Sequence, residues 1–140
     1  MTTRNDGPAR PVDLYAALDT FDEIFDPRVA TRVNDYDVRI GKVRGDYVWH
    51  THQHTDEFFL VLDGELTIGL RENGAERTVT LSRGAVFTVP RGTEHRPSSA
   101  DGAAILMFEP TGTVTTGDDG DTAAALPGHI RPRTGRALAE

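Results

Sequence analysis

The residues best able to do chemistry in this chain of 140 residues are three alternate histidines, His50, His52 and His54, followed by Glu57 and later by His95. Imidazole nitrogen and carboxylate oxygen are donors for first-row divalent metals, whereas a sulfur-selective site is excluded because the chain has no cysteine. On an extended strand alternate side chains share a face, so His50 and His52 are expected to project together. Val48 would share their face and Tyr47 and Trp49 the opposite one, which puts apolar material on both sides and the histidines inside a lined cavity. Glu57 opens the apolar run 58–62. A lone carboxylate buried there would cost several kcal/mol or take up a proton, and coordination to a cation removes that penalty. His95 leaves a rigid turn made by Pro90 and Gly92, which fixes where it points.

The expected ligand set is therefore His50, His52, Glu57 and His95, three nitrogens and one oxygen. It suits one divalent transition metal, Fe, Mn, Ni, Cu or Zn. An octahedral ion held by four protein groups keeps two positions for water or substrate, the property that separates catalytic from closed structural sites. His54 is read as a solvated loop residue and His129 as an exposed one. Arg91 and Arg96 flank the Pro90 turn and have the chemistry to grip an anion, but surface arginines beside a turn are common and that reading is favoured. For proton transfer the sequence offers Tyr47, His54 and Tyr36, and singles out none of them.

The elements that must position these groups read as short strands. From residue 29 onward, alternating apolar runs separated by turn signals predict an all-β sandwich or barrel. Asn34-Asp35 divides 29–33 from 36–43, and Asn73-Gly74 is a hairpin signal because both residues tolerate the positive φ of a type I′ turn. It joins 65–71 to 76–81. Gly84 opens 85–89, and 103–108 supplies a last apolar strand. Residues 1–28 read as an arm and cover segment, with 14–24 suited to a short helix or irregular cover. Residues 111–140 have no hydrophobic period and read as an irregular surface tail after the strands end. The strand 58–62 is apolar on both faces, so its outer side needs cover from the N-terminal segment or from a second copy, and a homodimer is expected.

Composition narrows the function. A formal charge of −7 argues against nucleic acid and anionic membrane as partners. No apolar run approaches the ~20 residues of a membrane span and the N-terminus lacks a signal-peptide pattern, so a soluble, cytoplasmic protein is expected. There is no phosphate-binding glycine loop, nucleotide fingerprint or Gly-x-Ser-x-Gly elbow.

Two stretches together resemble the paired motifs of the cupin superfamily. Gly45, His50, His52, Glu57 and Gly64 follow the first motif, with an opening interval one residue shorter than usual. Gly84, Pro90, Gly92 and His95 follow the second, with Ser99 where Asn is common. The resemblance implies an antiparallel double-sheet jelly-roll barrel of six to eight strands over 29–110, with the metal inside the barrel mouth. It implies no single reaction, since cupins include dioxygenases, isomerases, lyases and ligand-sensing domains. A metal-dependent enzyme acting on a small polar metabolite is the leading expectation, and a non-catalytic small-ligand-binding or sensing module is the alternative.

Overall fold

The computed structural model describes residues 9–117 and 126–138. The first eight residues of the expected arm, and 118–125 and 139–140 of the expected tail, lie outside them. A short helix α1 (Leu14–Leu18) precedes seven strands: β1 (Arg28–Val33), β2 (Tyr36–Asp46), β3 (Glu57–Glu72), β4 (Ala75–Ser82), β5 (Val86–Val89), β6 (Glu94–Pro110) and β7 (Arg136–Ala137). They form one hydrogen-bonded sheet in the order β4-β3-β6-β2-β1-β7, with β5 on the free side of β3. Every pair is antiparallel except β1 with β7.

The sheet becomes a barrel because its two longest strands bend. The first half of β3 pairs with β5 and the second half of β6, and its second half pairs with β4 and the first half of β6. Register shifts between Val61 and Thr67 mark the corner where the strands pass from one layer to the other. Gly64 sits there with φ +78°, and a Cβ built on it would lie 2.3 Å from the carbonyl oxygen of Gly102. Ser99 completes the corner, donating its hydroxyl to the Glu65 carbonyl (2.7 Å) and accepting from the Gly102 amide (3.1 Å). The residue that departs from the family pattern is therefore a structural tie. Gly64→Ala should destabilise the fold by about 2–4 kcal/mol, combining left-handed strain with a backbone clash. Gly74→Ala should cost only about 1 kcal/mol, since Gly74 has φ +79° but open space around it. Urea denaturation midpoints of the two variants test the difference.

The turn chemistry behaves as the sequence predicts. Asn34 (φ 54°) lies between β1 and β2, and Asn73 (φ 50°) with Gly74 (φ 79°) makes the two-residue turn between β3 and β4. Inward-facing Phe59, Val61, Leu66, Ile68 and Leu70 of β3 join Ile105 and Met107 of β6 in one buried core. Burying each large aliphatic side chain contributes about 1.5–3 kcal/mol.

Part of the outer face of the front layer is covered by the chain itself. Ala17, Leu18 and Phe21 pack on Ile40 and Leu62, and the Tyr15 hydroxyl donates to the Leu62 carbonyl (3.0 Å). Asp13 starts the helix by accepting from the amides of Tyr15 and Ala16 (3.0 and 3.1 Å). Val33, Tyr36 and Val86 stay exposed on the barrel's outside.

The segment after Pro110 is irregular apart from β7, but two expectations for it need correction. The strands do not end at Phe108, since Arg136–Ala137 pairs with β1. Nor is the segment purely superficial, since Ile130 is 1 % exposed within the barrel core and Thr113 and Thr116 are buried. Thr115 and Arg133 bind each other, the Thr115 amide donating to the Arg133 carbonyl (2.8 Å) and the Arg133 amide to the Thr115 hydroxyl (3.0 Å). Buried Asp26 faces three guanidinium groups, those of Arg136 (3.1 Å), Arg28 (3.4 Å) and Arg133 (3.7 Å). One apolar residue among prolines and glycines has no period, so this packing carries no signal in the hydrophobic pattern.

Candidate metal centre

The site forms where the pairing of β2 with β6 runs out. Beyond β2 the chain stays beside β6 for a few residues: the Tyr47 amide donates to the Pro97 carbonyl, and His50 and His95 exchange both backbone hydrogen bonds (3.0 and 2.9 Å). His50 and His95 are therefore direct neighbours across the ladder, with ring centroids 4.3 Å apart. His52 is placed differently from the expectation. Residues 51–56 leave the sheet, so His52 meets His50 through a loop rather than through strand pleat, with the rings nearly perpendicular at 5.1 Å. The loop is tied down by the Gly92 amide, which donates to the His52 carbonyl (2.8 Å), and Gly92 takes φ +83° to do so. Glu57, the first residue of β3, enters opposite Val89.

The four expected residues come together. One donor atom from each of His50, His52, Glu57 and His95 lies within 4.8 Å of all the others, and all four side chains are buried. Nε2 of His52 is 2.6 Å from Oε2 of Glu57, and Nε2 of His95 is 4.0 Å from the same oxygen. Nδ1 of His50 donates to the Val48 carbonyl and Nδ1 of His95 to the Thr93 carbonyl, both at 2.9 Å. These bonds fix the tautomer that leaves each Nε2 lone pair facing inward. Both Nε2 atoms are shielded from solvent and meet no hydrogen-bond partner, a cost that a bound cation removes.

The electrostatics suit a cation. Burial, helped by His95, lowers the His50 pKa to about 3, and burial also lowers that of His95, so both rings are neutral as metal ligands must be. Burial opposes ionisation of Glu57, but the hydrogen bond and charge of His52 outweigh it and bring the carboxyl down to about 2.

The cluster opens into a small cavity of about 50 Å³, walled by Phe25, Val43, Tyr47, Phe59, Met107 and Glu109. Tyr47 is turned inward, its ring edge-on to His50 at 5.4 Å, and burial pushes its hydroxyl up to about 12. Trp49 lies outside, between the guanidinium groups of Arg71 (3.8 Å) and Arg96 (5.1 Å). Close approach of the indole explains Gly69, where a Cβ would stand 2.9 Å from the Trp49 ring.

The remaining candidates are elsewhere. His54 is exposed, 3.4 Å from the Thr113 hydroxyl and outside the cluster. His129 is exposed as expected. Tyr36 stacks on Phe108 on the barrel's outside, so of the three proton-transfer candidates only Tyr47 borders the cavity. Arg91 is held by Asp56 through its amide (2.9 Å) and its Nε (3.4 Å).

The sequence reading missed a buried charged group beside the site. Arg39 is fully buried and donates to Glu109 (2.9 Å), to the Thr113 carbonyl (2.9 Å) and to Asp37 (3.1 Å). Burial, then the charge of Glu57, pushes the Glu109 carboxyl up, and the Arg39 guanidinium opposes that shift. The signal was present: Asp37 and Arg39 occupy the inward register of β2, and Glu109 continues the inward series Ile105, Met107.

Comparison with known proteins supports the same picture. The profile of the family described as Cupin domain matches residues 38–109. The chain is 34 % identical to a cupin-2 domain protein of Shewanella frigidimarina, with a TM-score of 0.67 over 71 % of this chain and 93 % of that one. It is 28 % identical over 102 residues to the 3-hydroxyanthranilate 3,4-dioxygenase of Xanthomonas euvesicatoria, covering 71 % of this chain and 58 % of that enzyme. The chain thus spans little more than half the length of that curated relative. The hydroquinone 1,2-dioxygenase of a Sphingomonas species shares the fold, with a TM-score of 0.64 and 24 % identity over 70 % of this chain and 31 % of that one.

Proposed function

The chain belongs to the cupin family, and from that premise we propose that His50, His52, Glu57 and His95 hold one divalent transition metal and that the protein is a metal-dependent dioxygenase of a small hydroxylated aromatic molecule. The observation that carries this reading is the juxtaposition of four buried donors, two with inward unpartnered Nε2 atoms, and a cavity walled largely by Phe25, Tyr47, Phe59 and Met107. The 28 % identity to a relative named as a dioxygenase supports the reaction class. The donors suit Fe, Mn, Ni, Cu or Zn, and the reaction selects Fe(II). Such an ion supplies Lewis acidity and the one-electron chemistry that dioxygen requires.

The chain's own residues do the rest. The backbone-anchored histidines hold their rings in one orientation, so the donor set needs little rearrangement to bind. The aromatic and thioether wall excludes water and offers flat apolar surface to a ring. Tyr47 and Glu109 place a hydroxyl and a carboxyl beside the reacting position, within reach of substrate hydroxyl protons. The outer face left exposed at Val33, Tyr36 and Val86 is the surface through which two copies pair in a homodimer.

The test is oxygen uptake by protein loaded anaerobically with Fe(II), then mixed with hydroquinone, catechol or ortho-aminophenol and air. Ring cleavage by a dioxygenase puts both atoms of one O₂ into the product as one ring C–C bond breaks, so product mass should rise by the mass of O₂. Tight binding of these rings with no oxygen uptake would instead leave a non-catalytic ligand-binding cupin.

A further inference from the structure

We propose that the ring taken by this site carries no carboxylate: the substrate is a neutral catechol-, hydroquinone- or aminophenol-like molecule. The inference rests on the aromatic-substrate reading above and comes from the charges around the cavity. Every cationic side chain near it among the described residues is already engaged. Arg39 is fully buried, with Nη1 shared by Glu109 and the Thr113 carbonyl and with Nε and Nη2 on Asp37. Lys42 lines the cavity too, but its ammonium is taken up by the Phe21 carbonyl and lies over the Phe21 ring. Arg28, Arg133 and Arg136 converge on Asp26. The two arginines whose place in the sequence suggested anion binding do not line the cavity: Arg91 bonds Asp56, and Arg96 lies over the Trp49 ring.

The other charged groups that line the cavity are carboxyls. Asp26, Glu57 and Glu109 line it, and in either protonation state none of them supplies positive charge to a ligand. A carboxylate moved from water onto the Phe25, Phe59 and Met107 wall would lose its hydration without gaining a partner. A hydroxyl or amino group meets no such obstacle, since these carboxyl oxygens can accept its hydrogen bond. The site therefore departs in specificity from the relative named for 3-hydroxyanthranilate, whose substrate carries a ring carboxylate.

Calorimetric titration of the metal-loaded protein, under anaerobic conditions, reads binding without turnover. The probes are catechol, catechol bearing a ring carboxamide, and catechol bearing a ring carboxylate at the same carbon, with ortho-aminophenol beside 3-hydroxyanthranilate. The two neutral catechols should bind within a few-fold of each other, and each carboxylated ring at least about tenfold more weakly than its neutral counterpart. Equal or tighter binding of the carboxylated rings overturns the inference and leaves the aromatic-dioxygenase reading intact. A carboxamide as weak as the carboxylate overturns it too, because size rather than charge would then be excluded. If no ring binds while the metal stays bound, the aromatic reading falls and this inference with it.

Discussion

His95→Ala is expected to reduce bound metal from about one equivalent per chain to about a tenth or less after purification without chelator, and His50→Ala to do the same. Each substitution removes one of four donors from a set whose rings are already oriented. Loss of a mere orienting partner in such sites weakens metal affinity by about 10–100-fold, so loss of a donor should exceed that. His54→Ala is the control. Its side chain is exposed and outside the cluster, so the variant should keep its metal. Elemental analysis of the four proteins decides the matter. Full metal content in His95→Ala would break the proposed ligand set. Because the ion binds only the folded chain, chelation of the wild type should also lower its melting temperature.

Arg39→Met is expected to lower stability by about 3–5 kcal/mol, the range found when one partner of a buried ion pair is removed. The substitution keeps the side chain's bulk and apolar stem but leaves Asp37 and Glu109, both almost fully buried, without their shared guanidinium. Asp37 retains Arg32 (3.0 Å) and the Thr111 hydroxyl (2.7 Å), whereas Glu109 loses the guanidinium that bonds it at 2.9 Å. Adding Glu109→Gln to Arg39→Met should therefore recover at least about 1 kcal/mol, since a neutral amide is cheaper to bury than an unpaired carboxylate. Urea denaturation of the single and double variants measures both effects. A neutral Arg39→Met would show that the network adds nothing to stability.

The site was legible in the sequence to the extent that its chemistry sits in dense, local patterns. His50, His52 and Glu57 fall within one short stretch, and His95 follows a Pro-x-Gly turn whose geometry is carried by residue type. The strand boundaries at Asn34 and Asn73 were legible for the same reason, since few residues accept positive φ. Legibility failed where meaning depends on register or on distant partners. Asp37, Arg39 and Glu109 look like ordinary polar positions until inward facing is assigned residue by residue. The inward turn of Tyr47 arises after β2 ends, where alternation no longer follows a ladder. Ile130 is a lone apolar residue whose burial comes entirely from the other end of the chain.

The long pairing of β6 with both β2 and β3 also sets the order in which this molecule can be made. Tyr36 lies opposite Pro110, and Glu57 enters the strand whose partners begin at Phe108, so no early hairpin contains the whole donor set. Closing such distant contacts is entropically slow, and barrels dominated by them fold in milliseconds to seconds. His50 meets His95 only once β6 has docked. Until then the nascent chain offers an ion His50, His52 and Glu57 without His95, in no fixed arrangement. Under the proposed ligand set, metal choice would fall to the finished barrel, whose buried donors impose geometry, and not to a flexible segment that would take whichever ion arrives first.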